Sequence, residues 1–364
     1  MTYLMATNTD YEKGRLTGAH SRFLELAKGL SKDNKVIIIS RKIPQLENEK
    51  NIIFYHINDN DPRLVPDHIA AILKISRKSR EVKKRECYDT AISFTPFISI
   101  AFKMGGIRNI VSLFREDLIG YHKIIGTNKL KIFYYKLIEI LAVRCSKKII
   151  VQCHDDKRSL IARTRKFDNK IENKVDIQIN NANASWMNME SYDHADNAIP
   201  NILLIGEFSN LRKGHHLLLA AATRLYDEGY DFTVSLAGDG PDLPKYIEKY
   251  KHYSRISFLG KIKVAEHLGK ADFLLVPSLM DSCPNTVLEA LNAGVAVYGS
   301  NIGGIADLLV KQEYLFDPTV DSTYDFLKLV LDSKRYVDDR IKQRKRKEEL
   351  CFDWADKIKV LIDE

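Results

Sequence analysis

Short apolar runs bounded by glycine and polar residues alternate along this chain with longer stretches whose apolar positions recur at helical spacing. Tyr3–Ala6 reads as a buried strand, followed by a polar loop holding Gly14 and Gly18. A helix over Ala19–Leu30 then carries apolar residues at Phe23, Leu26, Ala27 and Leu30, and Val36–Ser40 is the next strand. Strand, loop, helix, strand is a βαβ unit, which implies a parallel sheet with a right-handed crossover. No G-x-G-x-x-G follows the first strand, so the dinucleotide fingerprint is missing. Ile52–Ile57, Thr90–Phe94, Asn109–Phe114 and Ile149–Gln152 continue the series of strands. Helices are expected over Asp67–Glu86, around Ile98–Met104 and from Asp155 to Arg163. Between Tyr121 and Ser146 apolar residues cover most of a helical surface, so burial is the expectation, with a membrane interface as the alternative.

The pattern lapses over Val175–Ile199, where Asn180, Asn181, Asn183, Trp186 and Met187 stand among polar residues without periodicity. It resumes with a strand at Ile202–Ile205, a helix over His215–Glu228, and strands at Thr233–Ala237, Arg255–Leu259, Asp272–Val276 and Val295–Gly299. Lys334–Glu364 is a charged helical tail. The expected organisation is α/β: a first domain over residues 1–180, a linker at 181–200, a second domain over 201–340, and a terminal helix in 341–364.

Pro277–Gly304 concentrates the candidate chemistry. Pro284 and Gly294 bracket a helix ending at Ala293, in keeping with proline at helix starts and glycine just past helix ends. The N–H groups of Asn285, Thr286 and Val287 would point with the positive dipole end toward the Ser282–Cys283 loop, a seat for a phosphate. Glu289 lies one turn inward, suited to accepting hydrogen bonds from sugar hydroxyls.

The run D-S-C-P-N-T-V-L-E-A-L-N-A-G-V-A-V resembles the E-x7-E segment of retaining GT-B glycosyltransferases, with Asp281 at the first acidic position and Ala296 where proline is usual. Gly206-Glu207-Phe208-Ser209-Asn210-Leu211-Arg212-Lys213-Gly214 resembles that family's G-R-L-x-x-x-K-G, in which an arginine and a lysine grip the donor diphosphate. Lys213 and Gly214 match, whereas Glu207 reverses the charge of the usual arginine; Arg212 is the available substitute. Gly303-Gly304-Ile305-Ala306-Asp307 is similar to G-G-x-x-E, and Phe352-Asp353-Trp354 to the F-x-W that opens a last helix packing back on the first domain. Gly18 stands where the family keeps a loop glycine close to the donor phosphates, and Phe114-Arg115-Glu116-Asp117 at a strand end that faces the reacting sugar.

The resemblance implies a GT-B fold, two doubly wound Rossmann-like domains facing across a cleft, the first binding acceptor and the second a nucleotide-sugar donor. It implies catalytic roles for Glu289, Asp281, Lys213 and Arg115. Donor contacts would come from Gly206, Arg212, Lys213, Ser282, Cys283, Asn285, Thr286, Glu289 and Gly18, and an acceptor-hydroxyl contact from Glu116 or Asp117. No cofactor and no essential metal are implied. The activity would be retaining transfer of a hexose-type sugar to a saccharide or lipid-linked acceptor in surface polysaccharide, lipopolysaccharide or glycolipid assembly. Glu207 and Asp281 keep open a degenerate, non-catalytic partner subunit, and a nucleotide-sugar epimerase is a third reading.

Composition adds limits. Residues 1–180 carry a net charge of +14 and the remainder −6, within a total of +8. The basic half suits an anionic membrane face, a phosphorylated lipid or nucleic acid, against the plainer reading of solvated basic helices. No nucleic-acid-binding motif accompanies the charge, so nucleic acid is not an expected partner. Five cysteines without a C-x-x-C pair, and no secretory-type leader in MTYLMATNTDYEKGR, lead to the expectation of reduced thiols and a cytoplasmic protein.

Overall fold

The computed structural model describes residues 1–11, 18–57, 67–182 and 197–364, with the side chains of Ala19 and Asp67 left aside. Gly14, Asn183, Trp186 and Met187 lie outside the described residues.

The first half contains β1 (Thr2–Ala6), α1 (Gly18–Ser31), β2 (Lys35–Ser40), β3 (Ile52–His56), α2 (Asp67–Arg85), β4 (Thr90–Ser93), α3 (Pro96–Met104), β5 (Ile110–Leu113), α4 (Leu118–Ile124), α5 (Lys129–Cys145), β6 (Lys148–Val151), α6 (His154–Thr164) and β7 (Val175–Ile177). Its strands form one parallel sheet in the order β3-β2-β1-β4-β5-β6-β7. Successive side chains of a strand point to opposite faces, and the apolar runs fill both. Tyr3, Met5, Val36 and Ile38 pack on one side, and Leu4, Ala6, Ile37 and Ile39 on the other. Burial on both faces is why these strands read as continuous apolar runs rather than alternating ones.

The second half contains β8 (Asn201–Ile205), α7 (His215–Asp227), β9 (Thr233–Ala237), α8 (Leu243–Tyr250), β10 (Ile256–Gly260), α9 (Val264–Leu268), β11 (Phe273–Val276), α10 (Asn285–Ala293), β12 (Ala296–Ser300), α11 (Gly303–Leu309), β13 (Leu315–Phe316) and α12 (Val320–Ser333). A second parallel sheet runs β10-β9-β8-β11-β12-β13 over its own core. The chain closes with α13 (Tyr336–Lys342), α14 (Arg344–Glu349) and α15 (Trp354–Asp363). The last of these crosses back: Trp354, Ala355, Ile358 and Ile362 are buried in the core of the first sheet. Tyr3 donates its hydroxyl proton to Asp363 Oδ1 at 2.7 Å. The crossing is tight, since a Cβ on Gly29 of α1 would lie 2.4 Å from Ala355 Cβ.

Two sequence expectations need correction. Val175–Ile177, read as part of an irregular junction, is an edge strand; three residues are too few to show a period. The charged tail is helical as expected, in three segments, the last opening at Trp354. The apolar region between Tyr121 and Ser146 is split at Gly126, whose φ is +70°, with Asn128 capping the new helix by accepting from Lys131 N at 2.8 Å. Within α5 only one face is buried, through Ile138, Glu139, Ala142 and Val143. Leu130, Phe133, Leu137 and Leu141 are exposed, against the expectation of burial.

Candidate functional site

In a doubly wound sheet the carboxyl ends of the strands diverge on either side of the first strand, and loops leaving those ends can converge on a ligand. Both sheets switch direction in this way, at β1/β4 and at β8/β11. A cleft of about 640 Å³ opens between them. Its walls are the segments after the strands: Phe94–Phe97 after β4, Phe114–Glu116 after β5, Gln152 after β6, Asn180 after β7, Glu207 and Arg212 after β8, and Met280–Cys283 after β11. Glu139 of α5 completes one side.

Two helices meet in this cleft. α1 begins at Gly18 and α10 at Asn285, and both residues line the cavity. A Cβ on Gly18 would lie 2.8 Å from Asn285 Nδ2, the end of an exposed side chain, so the two domains approach closely at this point. Pro284 is the cap residue of α10 rather than its first helical residue, with φ −68° and ψ 120°. Val287 N–H bonds to Pro284 O at 3.2 Å, which removes it from the expected phosphate seat and leaves the amides of Asn285 and Thr286. Gly294 ends the helix with φ +77°, the left-handed conformation a C-terminal glycine supplies. Glu289 lies one turn below Asn285 on the same helix face. Burial pushes its carboxyl up to about 7, and no hydrogen bond or ion pair offsets it among the described residues.

Arg212 lines the cleft from the short turn Leu211–Lys213, and Lys213 of the same turn contacts the cleft residue Asp281. Lys213 Nζ donates to Asp281 Oδ2 at 2.5 Å, and Arg212 Nη1 stands 3.8 Å from the same oxygen. Gly214 holds this turn against the loop after β11: its φ is +69°, and a Cβ there would meet Pro277 O at 1.8 Å. Leu279 N donates to Arg212 O at 2.7 Å, tying the two loops together. Gly206 makes room for Lys213, whose Cβ would be 3.0 Å from an added Cβ. Arg212, Lys213 and Asp281 are therefore one cluster, in which both cations face the carboxylate, whereas Glu289 and Thr286 are not among the residues lining the cleft. Glu207 is exposed on the same cleft.

From the first domain, Arg115 enters the cleft beside Asn180, donating to Asn180 Oδ1 at 3.1 Å. Burial and the nearby Arg22 charge pull its guanidinium down to about 10. Both guanidiniums flank the Trp354 ring, with Cζ atoms 5.2 Å (Arg22) and 5.4 Å (Arg115) from its centroid. Glu116 lines the cleft. Asp117 does not: it caps α4 by accepting from Gly120 N at 3.0 Å and pairs with Arg163 at 2.9 Å. Ser282 and Cys283 are both buried, and Cys283 Sγ accepts from Asn180 N at 3.4 Å. Arg115 Nε and Arg212 Nε are buried polar atoms of the cleft without a hydrogen-bond partner among the described residues, the condition in which a polar ligand is favoured over a dry wall.

Several contributors were not legible in the sequence. Asp156 on α6 sits beside Ser282, and burial pushes its carboxyl up to about 7 while the Ser282 hydroxyl pulls the other way. Asp155 Oδ2 accepts from Gly303 N at 2.5 Å, and Asp307 Oδ2 accepts from His154 N at 2.8 Å. Each domain thus caps a helix of the other. Asp155 lies in the first turn of α6, where an acidic residue favours its own helix, and nothing in the sequence marked it or Asp307 as a bridge.

Two facing parallel-sheet α/β domains with a cleft at their strand ends define a GT-B architecture. Solved structures share it over nearly the full length. The lipopolysaccharide outer core galactosyltransferase WaaB superposes with a TM-score of 0.73 at 15% identity, covering 99% of this chain and 98% of that one. Anabaena HepE in complex with UDP-glucose gives 0.68 at 14%, covering 100% and 98%. Residues 199–331 match the family described as Glycosyl transferases group 1. Protein CapJ of Staphylococcus aureus is 31% identical over 151 residues, 39% of this chain and 38% of that protein; the aligned part is well under half of either.

Proposed function

We propose that the chain is a retaining glycosyltransferase that moves a hexose-type sugar from a nucleotide diphosphate to a saccharide or lipid-linked acceptor. The observation that carries this reading is the approach of Gly18 to the N-terminus of α10 at Asn285, beside Arg212 and the Lys213–Asp281 pair. Backbone amides, a dipole end and two cations form a preorganised counter-charge for a departing diphosphate, and electrostatic stabilisation of this kind commonly supplies more of an enzyme's rate enhancement than any other effect. With these groups in place the residues would need no essential metal. Glu289, whose carboxyl is raised by burial, would offset that cost with hydrogen bonds from the donor ribose, and Ser282, Cys283 and Asp281 would hold the sugar. Arg115 and Glu116 would face the acceptor and leaving group. The interdomain caps at Asp155 and Asp307 would keep water from the donor when the domains close. HepE in complex with UDP-glucose and the lipopolysaccharide galactosyltransferase WaaB, both of this fold, support a nucleotide-sugar donor and a surface-glycan setting. We assign the protein to the cytoplasmic side of a membrane.

The test is nucleoside diphosphate release by the purified chain over a panel of nucleotide sugars, with and without saccharide acceptors. Acceptor-dependent release is expected. Glu207 on the cleft and the Lys213–Asp281 pair favour a second reading, a non-catalytic partner subunit. Flat traces with every donor and no thermal shift with any nucleotide would establish that reading instead.

A further inference from the structure

Helix α5 has two opposite roles. At about 100° per residue, Leu130, Phe133, Leu137 and Leu141 fall in a single stripe about 80° wide. All four are exposed, at 80%, 57%, 44% and 49%. Exposed apolar stripes on a helix mark a surface that something covers. Tyr135 and Glu139 lie on the opposite side. Glu139 is buried, receives two hydrogen bonds from Arg163 at 2.8 Å and lines the cleft. Tyr135 stacks on His122 at 4.0 Å and meets Phe97, another cleft residue, at 6.4 Å.

The charge around the stripe is one-sided. Lys129, Lys131, Lys136 and Arg144 are exposed on α5, with Lys123 and Lys147 just beyond its ends. Glu139 is the single acidic residue from Leu118 to Lys147, and it is turned inward. An apolar stripe flanked by cations and by no exposed carboxylate matches the boundary of an anionic bilayer, where lysines meet lipid phosphates and apolar side chains enter the acyl region. A soluble protein partner would give such a surface no reason to lack acids altogether.

We propose that this face of α5 is a docking surface for an anionic membrane, inserting Leu130, Phe133, Leu137 and Leu141 between lipid headgroups. One helix, about 10–12 Å across with its side chains, then separates the bilayer from the cleft. A lipid-linked acceptor held in that bilayer could present its head group around the helix to Arg115 and Glu116. The purpose assigned to docking rests on the transferase reading; the docking itself rests on α5 alone.

The experiment is co-sedimentation of the full chain with vesicles of phosphatidylcholine alone or of phosphatidylcholine mixed with phosphatidylglycerol. Binding to the anionic vesicles, reversed by salt, is expected. The double variant F133E/L137E should bind them about tenfold or more weakly while keeping its unfolding temperature and its nucleoside diphosphate release with a water-soluble acceptor. Equal binding by the variant, or none by the wild type at low salt, would overturn the proposal. So would a wild-type dimer by light scattering that the variant dissociates, since the occupant would then be a second copy. Vesicle binding without turnover of any donor would leave docking standing and remove only the enzymatic reading.

Discussion

Lys213 Nζ and Asp281 Oδ2 stand 2.5 Å apart at the edge of the interdomain cleft, with Arg212 reaching the same carboxylate. The two residues belong to loops following different strands, β8 and β11, and Gly214 and the Leu279–Arg212 hydrogen bond hold those loops together. A diphosphate that recruits Lys213 must compete with Asp281. Replacing Asp281 with asparagine keeps the shape and removes the competing charge. Asp281→Asn should bind nucleoside diphosphates several-fold more tightly by calorimetry while transferring sugar more slowly, because the sugar loses an acceptor group. Weaker nucleotide binding would mean that Asp281 positions Lys213 rather than competing for it.

Lys213→Ala removes the cation aimed at the leaving group. Loss of one such preorganised group usually costs about 10²–10³ in kcat, and a loss in that range, measured as single-turnover nucleoside diphosphate release, is expected here. A change under about threefold would take Lys213 out of the chemistry.

Glu289 gives a pH prediction. Its carboxyl is pushed up to about 7 by burial, whereas an unfolded glutamate titrates near about 4.3. The folded protein therefore holds the proton more tightly, and this group's contribution to stability is full below the unfolded value and is lost as pH rises through about 7. Glu289→Gln removes that loss. Its unfolding temperature in the ligand-free protein should exceed wild type by about 2–6 °C near pH 8 and by under about 1 °C near pH 4. The same variant should lose most of its transferase activity. An equal shift at both pH values would show that the carboxylate is solvated.

Glu207 lines the cleft with a charge opposite to that of the ligand proposed there. Glu207→Arg should tighten nucleotide-sugar binding, by about tenfold for one added favourable interaction of about 1.4 kcal/mol. Weaker binding would show that the glutamate has a contact of its own with substrate.

The caps exchanged between domains predict a mechanical effect. Asp307→Ala leaves the His154 amide without its acceptor, and cap removal costs about 1 kcal/mol. Small-angle scattering of the ligand-free variant should show a larger radius of gyration than wild type. An unchanged radius would mean that α15 alone sets the domain angle.

Much of this architecture was legible because parallel strands buried on both faces write themselves as short apolar runs, as at Val36–Ser40 and Asp272–Val276. Proline and glycine likewise mark the start and end of α10 without reference to anything distant. The grouping of Lys213 with Pro277–Gly304 rested on resemblance, since residues from strands that neighbour only in space carry no local signature of one another.

The sequence by itself determined the βαβ order and the helix between Pro284 and Gly294, because these depend on periodicity and on the backbone limits of proline and glycine, whereas the roles of Arg212 and Lys213 were implied only by resemblance. Only the tertiary structure decided that Lys213 meets Asp281, that Asp117 is taken by Arg163, that Asp155 and Asp307 bridge the domains, and that one face of α5 stays bare. Charge pairing and burial depend on which surfaces come together across long separations in the chain. The apolar residues of α5 read alike in sequence whether another helix covers them or none does.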